Sequence, residues 1–301
     1  MSLAFDHHPV RLRRSVLCLP ASSRRAIDKL ASLDPDAVIL DLEDAVAEEA
    51  KQEARDNIRA FLEKGGLPGR EVVIRVNDAA SPHFERDMAL VLECEPDAVL
   101  LPKVRTQDDV LDVSNMLSES DAPDTVRVWA MIETPLAILN AGSIAEVGRT
   151  RGGRLDCFVV GLNDLRKDTG VPFDPARTYL VPWLMQVVLA ARAFGLTAID
   201  SVSNEFRALT GYDAECAQGR AMGFDGKMLI HPAQIAGANL AFAPSPAEIA
   251  EAEATIAAFS APEAAGLNAL NIDGRMVERL HFEQAGRLAE RARMIRERIR
   301  P

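Results

Sequence analysis

Apolar and polar positions follow two alternating regimes along this chain of 301 residues. Short runs rich in Val, Ile and Leu recur, and each gives way to a longer stretch of helical composition. The runs occupy 16–20 (VLCLP), 37–44 (AVILDLED), 71–77 (EVVIRVN), 98–104 (AVLLPKV), 128–134 (VWAMIET), 157–165 (CFVVGLNDL), 196–202 (LTAIDSV) and 226–232 (GKMLIHP). They are apolar on both faces, as parallel strands covered by helices are. Segments such as 47–64 and 180–195 supply the helices between them. Eight βα units across roughly 230 residues predict an α/β fold, the (β/α)8 TIM barrel, which typically takes ~250 residues. A doubly wound open sheet is the alternative, but no G-x-G-x-x-G motif follows the first run.

The pattern changes after residue 243. A helix is predicted over 244–261, entered through Ser245 and Pro246, with Glu248 at the spacing of a capping box. A Gly/Asn-rich link (266–276) then leads to a charged helix over 277–300. The expected organisation is a TIM-barrel catalytic domain over 15–243 and a C-terminal helical extension over 244–301. Such an extension is expected to pack on a neighbouring subunit.

Barrel enzymes place their reacting groups at the C-terminal ends of the strands, so those ends are the positions to read. They carry Asp41, Glu43 and Asp44, then Arg75 and Asn77, Lys103, Glu133, Asp164, Asp200 and His231. Seven of the eight runs thus end in an ionisable group after an apolar body, whereas the strand starts show scattered charges such as Glu71 and Asp225. The asymmetry predicts a site at that end of the barrel. Asp200 reads equally well as a helix cap, and His231, before Pro232, as a hydrogen-bonded turn residue.

Charge and composition narrow the partners. Against 34 Lys and Arg stand 45 Asp and Glu, a net charge of −11, which argues against nucleic acid or an anionic membrane. The basic run RLRR (11–14) reads as a solvated lead-in. No apolar run approaches the roughly 20 residues of a membrane span, and MSLAFDHHPV lacks a signal-peptide core. The four cysteines, Cys18, Cys94, Cys157 and Cys216, show no C-x-x-C spacing, so a zinc site or disulfide framework is not expected. A cytoplasmic protein is the resulting expectation.

The donor types then select the chemistry. Glu133 and Asp164 are oxygen donors without accompanying Cys or His clusters, which suits Mg²⁺ or Mn²⁺ rather than zinc. Arg75 offers a planar fork to a carboxylate or a developing oxyanion. It can also pair with the acids of the second strand, and the two roles are compatible. Lys103 is a candidate Schiff-base lysine, but two metal-type carboxylates favour the metal route.

Several stretches taken together carry a resemblance: LDLEDAV (40–46), IRVN (74–77), LPKV (101–104), MIETP (131–135), GLNDL (161–165), GFDGKMLIHPAQI (223–235) and AFAPS (241–245). In this order the chain, from about Ser15 to its end, resembles the HpcH/HpaI aldolase/citrate lyase superfamily. It is most similar to the CitE-like branch of citrate lyase β-subunits and malyl- or citramalyl-CoA lyases. The resemblance implies a TIM barrel, a homotrimer or dimer of trimers, and retro-Claisen cleavage of a 3-hydroxyacyl-CoA to acetyl-CoA and a 2-oxo acid. It implies a metal on Glu133 and Asp164 and substrate-oxyanion contact from Arg75. It also puts Arg25 and Lys29 on the CoA phosphates and Ile230 and His231 near the CoA arm. Asp41, Glu43, Asp44 and Lys103 are expected to line the substrate site around the metal.

The family's tail motif, G-x-M-I-D, presents an Asp to a neighbouring subunit. Here the segment reads GRMVE (274–278), so Glu278 stands in its place, one methylene longer. Ala21 follows Pro20 where Gly is common, and Asn163 precedes the metal Asp where Glu is common. Glu278 is expected to protonate the enolate carbon, or to deprotonate it in the condensing direction. The rival readings are a metal-dependent pyruvate aldolase acting on a free hydroxy-oxo acid and an accessory subunit of a citrate lyase-like complex.

Overall fold

The structure, a computed structural model, describes residues 11–206, 209–272 and 274–299. The first ten residues, where no signal-peptide core was read, lie outside that range. Arg13–Phe242 forms one compact unit and Ala243–Pro301 belongs to a second. All eight apolar runs are strands: β1 (Ser15–Pro20), β2 (Ala37–Asp41), β3 (Glu71–Arg75), β4 (Ala98–Leu101), β5 (Arg127–Ile132), β6 (Leu155–Val160), β7 (Thr197–Asp200) and β8 (Gly226–Leu229). Each pairs in parallel with the next, and β8 pairs with β1 to close the barrel. The helices of this unit are α1 (Arg24–Lys29), α2 (Lys51–Leu62), α3 (Phe84–Cys94), α4 (Gln107–Glu119), α5 (Pro135–Leu139), α6 (Ala141–Glu146), α7 (Leu162–Thr169), α8 (Val181–Phe194), α9 (Leu209–Met222) and α10 (Ile235–Ala241).

Side-chain parity explains why the strands are apolar throughout and polar at one end. Val16, Ile39, Val73, Leu100, Trp129, Met131, Cys157, Val159, Ile199 and Met228 belong to one buried cluster, which fills the barrel. Their alternate neighbours, such as Leu17, Val38, Ile74, Val128 and Phe158, pack in the larger cluster against the helices. Because the strand period is two, the next inward positions beyond the apolar layers are Cys18, Asp41, Arg75 and Glu133. The site therefore sits directly on the hydrophobic filling of the barrel.

The opposite end corrects two expectations. Arg13 and Arg14 are 4% and 5% exposed, not a solvated lead-in. Arg13 donates to both Glu71 oxygens at 2.6 and 2.7 Å, to Thr197 Oγ1 at 2.8 Å and to Asp156, with its guanidinium stacked on Trp129. Arg14 forms a two-point pair with Asp36. Burial alone would cost these charges several kcal/mol each, so they persist only as mutually satisfied pairs. The strand starts are thus also ionic. The two ends differ in that the bottom closes on itself.

Asp200 points outward, opposite in parity to Ile199, and belongs to another closed network. Its carboxylate accepts from Arg177 Nη1 at 2.7 and 2.8 Å and from Lys227 Nζ at 3.2 Å. Burial pushes the Asp200 carboxyl up, but Lys227 and Arg177 overcome it and hold the group below its ordinary value. That depression stabilises the fold above the ordinary carboxyl pKa, and the contribution is lost as pH falls through the lowered folded value. Lys227→Met leaves this buried carboxylate with one cation fewer. Urea denaturation at pH 7 should show a loss of about 3 kcal/mol, with most of the difference gone in strong acid.

The second unit contains α11 (Pro246–Ser260), a β-hairpin and α12 (Arg279–Ile299). Ser245 accepts from the Glu248 amide while Glu248 accepts from Ser245 N–H, forming the capping box read from the sequence. Phe259 and Phe282 meet at 5.5 Å between ring centroids and join the two helices. The Gly/Asn-rich segment is more ordered than a link: β9 (Ala269–Ile272) pairs antiparallel with β10 (Arg275–Glu278). Gly274 supplies the positive φ of 81° that the reversal uses.

Candidate active site

Asp41 and Arg75 are direct neighbours in the β2–β3 register. Their parity turns both inward, and the guanidinium meets the carboxylate with Nε at 2.6 Å and Nη2 at 2.5 Å. Asp41 also accepts the Glu43 and Ala45 amides. Its oxygens are thereby committed, so Asp41 holds Arg75 in place and is not itself turned to a ligand. Arg75 Nη1 faces Met131 Sδ and one Glu43 oxygen at 3.2 Å. It is the one nitrogen of the fork that does not bond Asp41.

The loop after β2 is held from behind. Buried Lys51 donates to the Leu42 and Glu43 carbonyls and to Asn77 Oδ1. Asn77 is also bonded to Asp87, so it serves this support and not the open site. Glu43 pairs with Arg75 and with Lys103 Nζ at 2.6 Å, and Asp44 lies 3.5 Å from the same ammonium. Burial pulls the Lys103 ammonium down, but Glu43, Asp44 and Glu133 more than offset it and raise its pKa. A Schiff-base lysine needs the opposite shift. The Schiff-base alternative loses its physical basis here.

Glu133 is the group at odds with its surroundings. It follows β5, is 1% exposed, and accepts the Lys103 backbone N–H at 2.7 Å. Lys103 presents that amide from a left-handed backbone, φ 52°, a conformation a non-glycine residue holds only under surrounding constraint. Burial pushes the Glu133 carboxyl up to about 8, and the nearby charges of Glu43 and Asp164 add to the shift. Asp164 is half-buried in the first turn of α7.

A buried carboxylate carrying this penalty, with the charge of a second one acting on it, is a natural seat for a cation. Among the described residues no group of three or more His, Cys, Asp or Glu is arranged to hold a metal. The protein's share would then be two carboxylates, with the remaining positions left to water and substrate oxygens. That donor set fits Mg²⁺ or Mn²⁺ and not a structural zinc.

The other expected residues fall in three places. Arg25 and Lys29 stand one turn apart on the exposed side of α1, directly after β1. Ile230 is exposed after β8, and His231 caps the following turn through Nδ1 and stacks on Phe206 at 5.1 Å. Glu278 lies half-buried at the end of β10 in the second unit, its amide donating to His281 Nδ1.

Cys18, not singled out from the sequence, is an inward residue beside Arg75, where burial pushes its thiol up to about 12. The parity of β1 is the signal that would have found it. Gly161 carries no local sequence signal of its role. A Cβ there would overlap Glu133 Oε2 and Cβ, so the glycine makes room for the buried carboxylate.

The family profile described as HpcH/HpaI aldolase/citrate lyase matches residues 14–232. A (3S)-malyl-CoA thioesterase from Cereibacter sphaeroides is 43% identical over 293 residues, covering 97% of this chain and 98% of its own. The mitochondrial citramalyl-CoA lyase of Homo sapiens is 34% identical over 302 residues, covering 97% and 89% respectively. The crystal structure of CitE from Mycobacterium tuberculosis in complex with magnesium, acetoacetate and coenzyme A aligns with a TM-score of 0.71 at 27% identity. That alignment spans 94% of this chain and 98% of the other.

Proposed function

The chain belongs to the HpcH/HpaI aldolase/citrate lyase family, and we propose that it is a Mg²⁺- or Mn²⁺-dependent carbon–carbon lyase acting on a 3-hydroxyacyl-CoA of the malyl, citramalyl or citryl type. The observation that carries this reading is the desolvated Glu133 carboxylate, which feels the charges of both Asp164 and Arg75. A divalent ion held by this pair would act as a Lewis acid and template for the substrate's carboxylate and hydroxyl oxygens.

The chain's own residues supply the rest. The substrate hydroxyl gives up its proton to water and becomes the keto oxygen of the 2-oxo acid as the C–C bond breaks; the bond's electron pair passes into the thioester carbonyl, and Arg75 Nη1 stabilises the resulting oxyanion. Asp41 keeps the guanidinium aimed, and the Glu43–Lys103 pair, with Asp44, lines the entrance. Arg25 and Lys29 meet the CoA phosphates at the exposed face of α1, and Ile230 and His231 border the CoA arm. The four free thiols among the described residues suit a reducing compartment, the cytoplasm. No helix in that range is long and apolar enough to cross a membrane.

Glu278 is assigned the proton transfer to the enolate carbon of a neighbouring subunit in a trimer or dimer of trimers. The tail hairpin and the start of α12 leave Met276 73% and Leu280 49% exposed, apolar surface suited to such a seat. Glu278→Gln and Asp164→Asn chains should each be inactive alone. After subunit exchange of equal amounts, about a quarter of sites would combine an intact barrel with an intact tail, as a head-to-tail interface allows. Activity that stays absent after demonstrated exchange would remove Glu278 from the neighbour's site.

A second reading, hydrolysis of malyl-CoA, is favoured by the 43% identical thioesterase. Purified protein incubated with malyl-, citramalyl- and citryl-CoA plus Mg²⁺ separates the two. Cleavage yields acetyl-CoA and a 2-oxo acid in equal amounts, whereas hydrolysis yields free CoA and the intact hydroxy acid. Hydrolysis products alone, or no turnover of any of the three, would sink the lyase assignment.

A further inference from the structure

Helix α7, which carries Asp164, begins with a residue unable to cap it. Its N-cap is Gly161, with no side-chain cap of its own. The Ser, Thr, Asp or Asn usual at this position is barred, because any Cβ would overlap Glu133. The packing that seats one carboxylate thus strips the helix bearing the other of its ordinary cap. The Leu162 amide is one of the first-turn donors that no helix satisfies internally, and Leu162 is buried.

Its partner comes from the next strand. Ser201, fully buried just beyond β7, accepts the Leu162 N–H on Oγ at 3.0 Å. Ser201 is fixed on both sides of its own backbone. Its N–H donates to Asp200 Oδ1 at 2.8 Å, and its carbonyl accepts from Lys227 Nζ at 2.6 Å. The Asp200–Arg177–Lys227 network is therefore the foundation on which this hydroxyl stands. Three residues on, Asn204 exchanges hydrogen bonds with Asn163, the neighbour of Asp164, at 3.0 and 3.4 Å.

We propose that the Ser201–Asn204 segment caps α7 from the adjacent strand, with Ser201 a positioning residue that aims the Asp164 carboxylate at the cation; this rests on the metal reading of Glu133 and Asp164. Mg²⁺ demands near-ideal octahedral geometry. A first turn free to fray would spread the Asp164 oxygens over several positions while Glu133 stayed in place. Partners that orient ligands in this way typically govern 10- to 100-fold in metal affinity.

The test is calorimetric titration of metal-free protein with MgCl₂, alongside thermal melting. Ser201→Ala should weaken Mg²⁺ binding about 10-fold, and the exposed Asn204→Ala about two- to threefold. Ser114→Ala is the matched control: this buried hydroxyl donates to the Val110 carbonyl and accepts the Arg154 amide, on the far side of the barrel from the site. It should lower the melting temperature without changing Mg²⁺ affinity.

An unchanged Mg²⁺ affinity in folded Ser201→Ala, or equal weakening in Ser114→Ala, overturns the proposal. Should Ser201→Ala fail to fold, Asn204→Ala decides, and wild-type affinity there overturns it. Asp164→Asn is titrated in parallel. If it binds Mg²⁺ normally, the metal reading falls and takes the cap with it. If it loses Mg²⁺ while the two loop variants do not, the cap alone is wrong.

Discussion

Asp164→Asn should lower turnover on a cleavable hydroxyacyl-CoA by roughly 10³-fold, equivalent to about 4 kcal/mol of lost transition-state stabilisation. The amide keeps the shape but removes the charge that makes the pair a seat for a divalent ion. Excess EDTA should reduce the wild-type enzyme to a comparable level, and Mg²⁺ or Mn²⁺ should restore the wild type but not the variant. Thermal melting adds a second readout. Wild-type protein should be stabilised by Mg²⁺ in proportion to the logarithm of its concentration, and Asp164→Asn should not respond. Full activity in EDTA would discard the metal centre altogether.

Arg75→Lys should cost on the order of 10²-fold in turnover, the size of one lost oxyanion donor. The physical reason is visible in the contacts. Two of the guanidinium nitrogens are spent on Asp41, at 2.6 and 2.5 Å, and the third, Nη1, lies against Met131 Sδ and Glu43. An ammonium can satisfy Asp41 or reach the oxyanion, and it has no fixed fork with which to do both. The loss should appear in kcat more than in KM, since the contact strengthens as charge develops on the oxygen. Wild-type turnover in Arg75→Lys would reduce Arg75 to a structural ion pair.

Much of the site's layout was already written along the chain. The Val- and Ile-rich runs marked eight strands, and all eight are present in the closed barrel. Their C-terminal ends picked out Asp41, Glu43, Asp44, Arg75, Lys103, Glu133 and Asp164, which the fold gathers at one end of the barrel. Parity would have sharpened this further. Counting from the inward Ile199 turns Asp200 away from the site, and counting from Val16 brings Cys18 into it. The segment 266–276 read as a link because strands of four residues, interrupted by Asn and Gly, give too short an alternation to stand out.

Other features had no local signal. Arg13 lies 58 residues from Glu71 and 184 from Thr197, and nothing near RLRR shows that its third residue is buried under Trp129. Gly161 looks like any loop glycine until Glu133 is seen occupying the space of its missing Cβ. Ser201 looks like any serine until its Oγ is seen accepting the Leu162 amide, which has no other partner among the described residues.

The sequence by itself determined the βα repeat, the inward and outward faces of each strand, and the supply of oxygen donors and cations at one end of the barrel. These depend on periodicity and side-chain chemistry, which act over a few residues. The tertiary structure decided which charges neutralise one another and which remain exposed to a ligand. Asp41 is spent on Arg75 and Asp200 on Arg177 and Lys227, while Glu133 is left desolvated with its pKa pushed up to about 8. Whether a carboxylate is satisfied depends on burial and on partners brought from distant strands, and only closure of the barrel sets both.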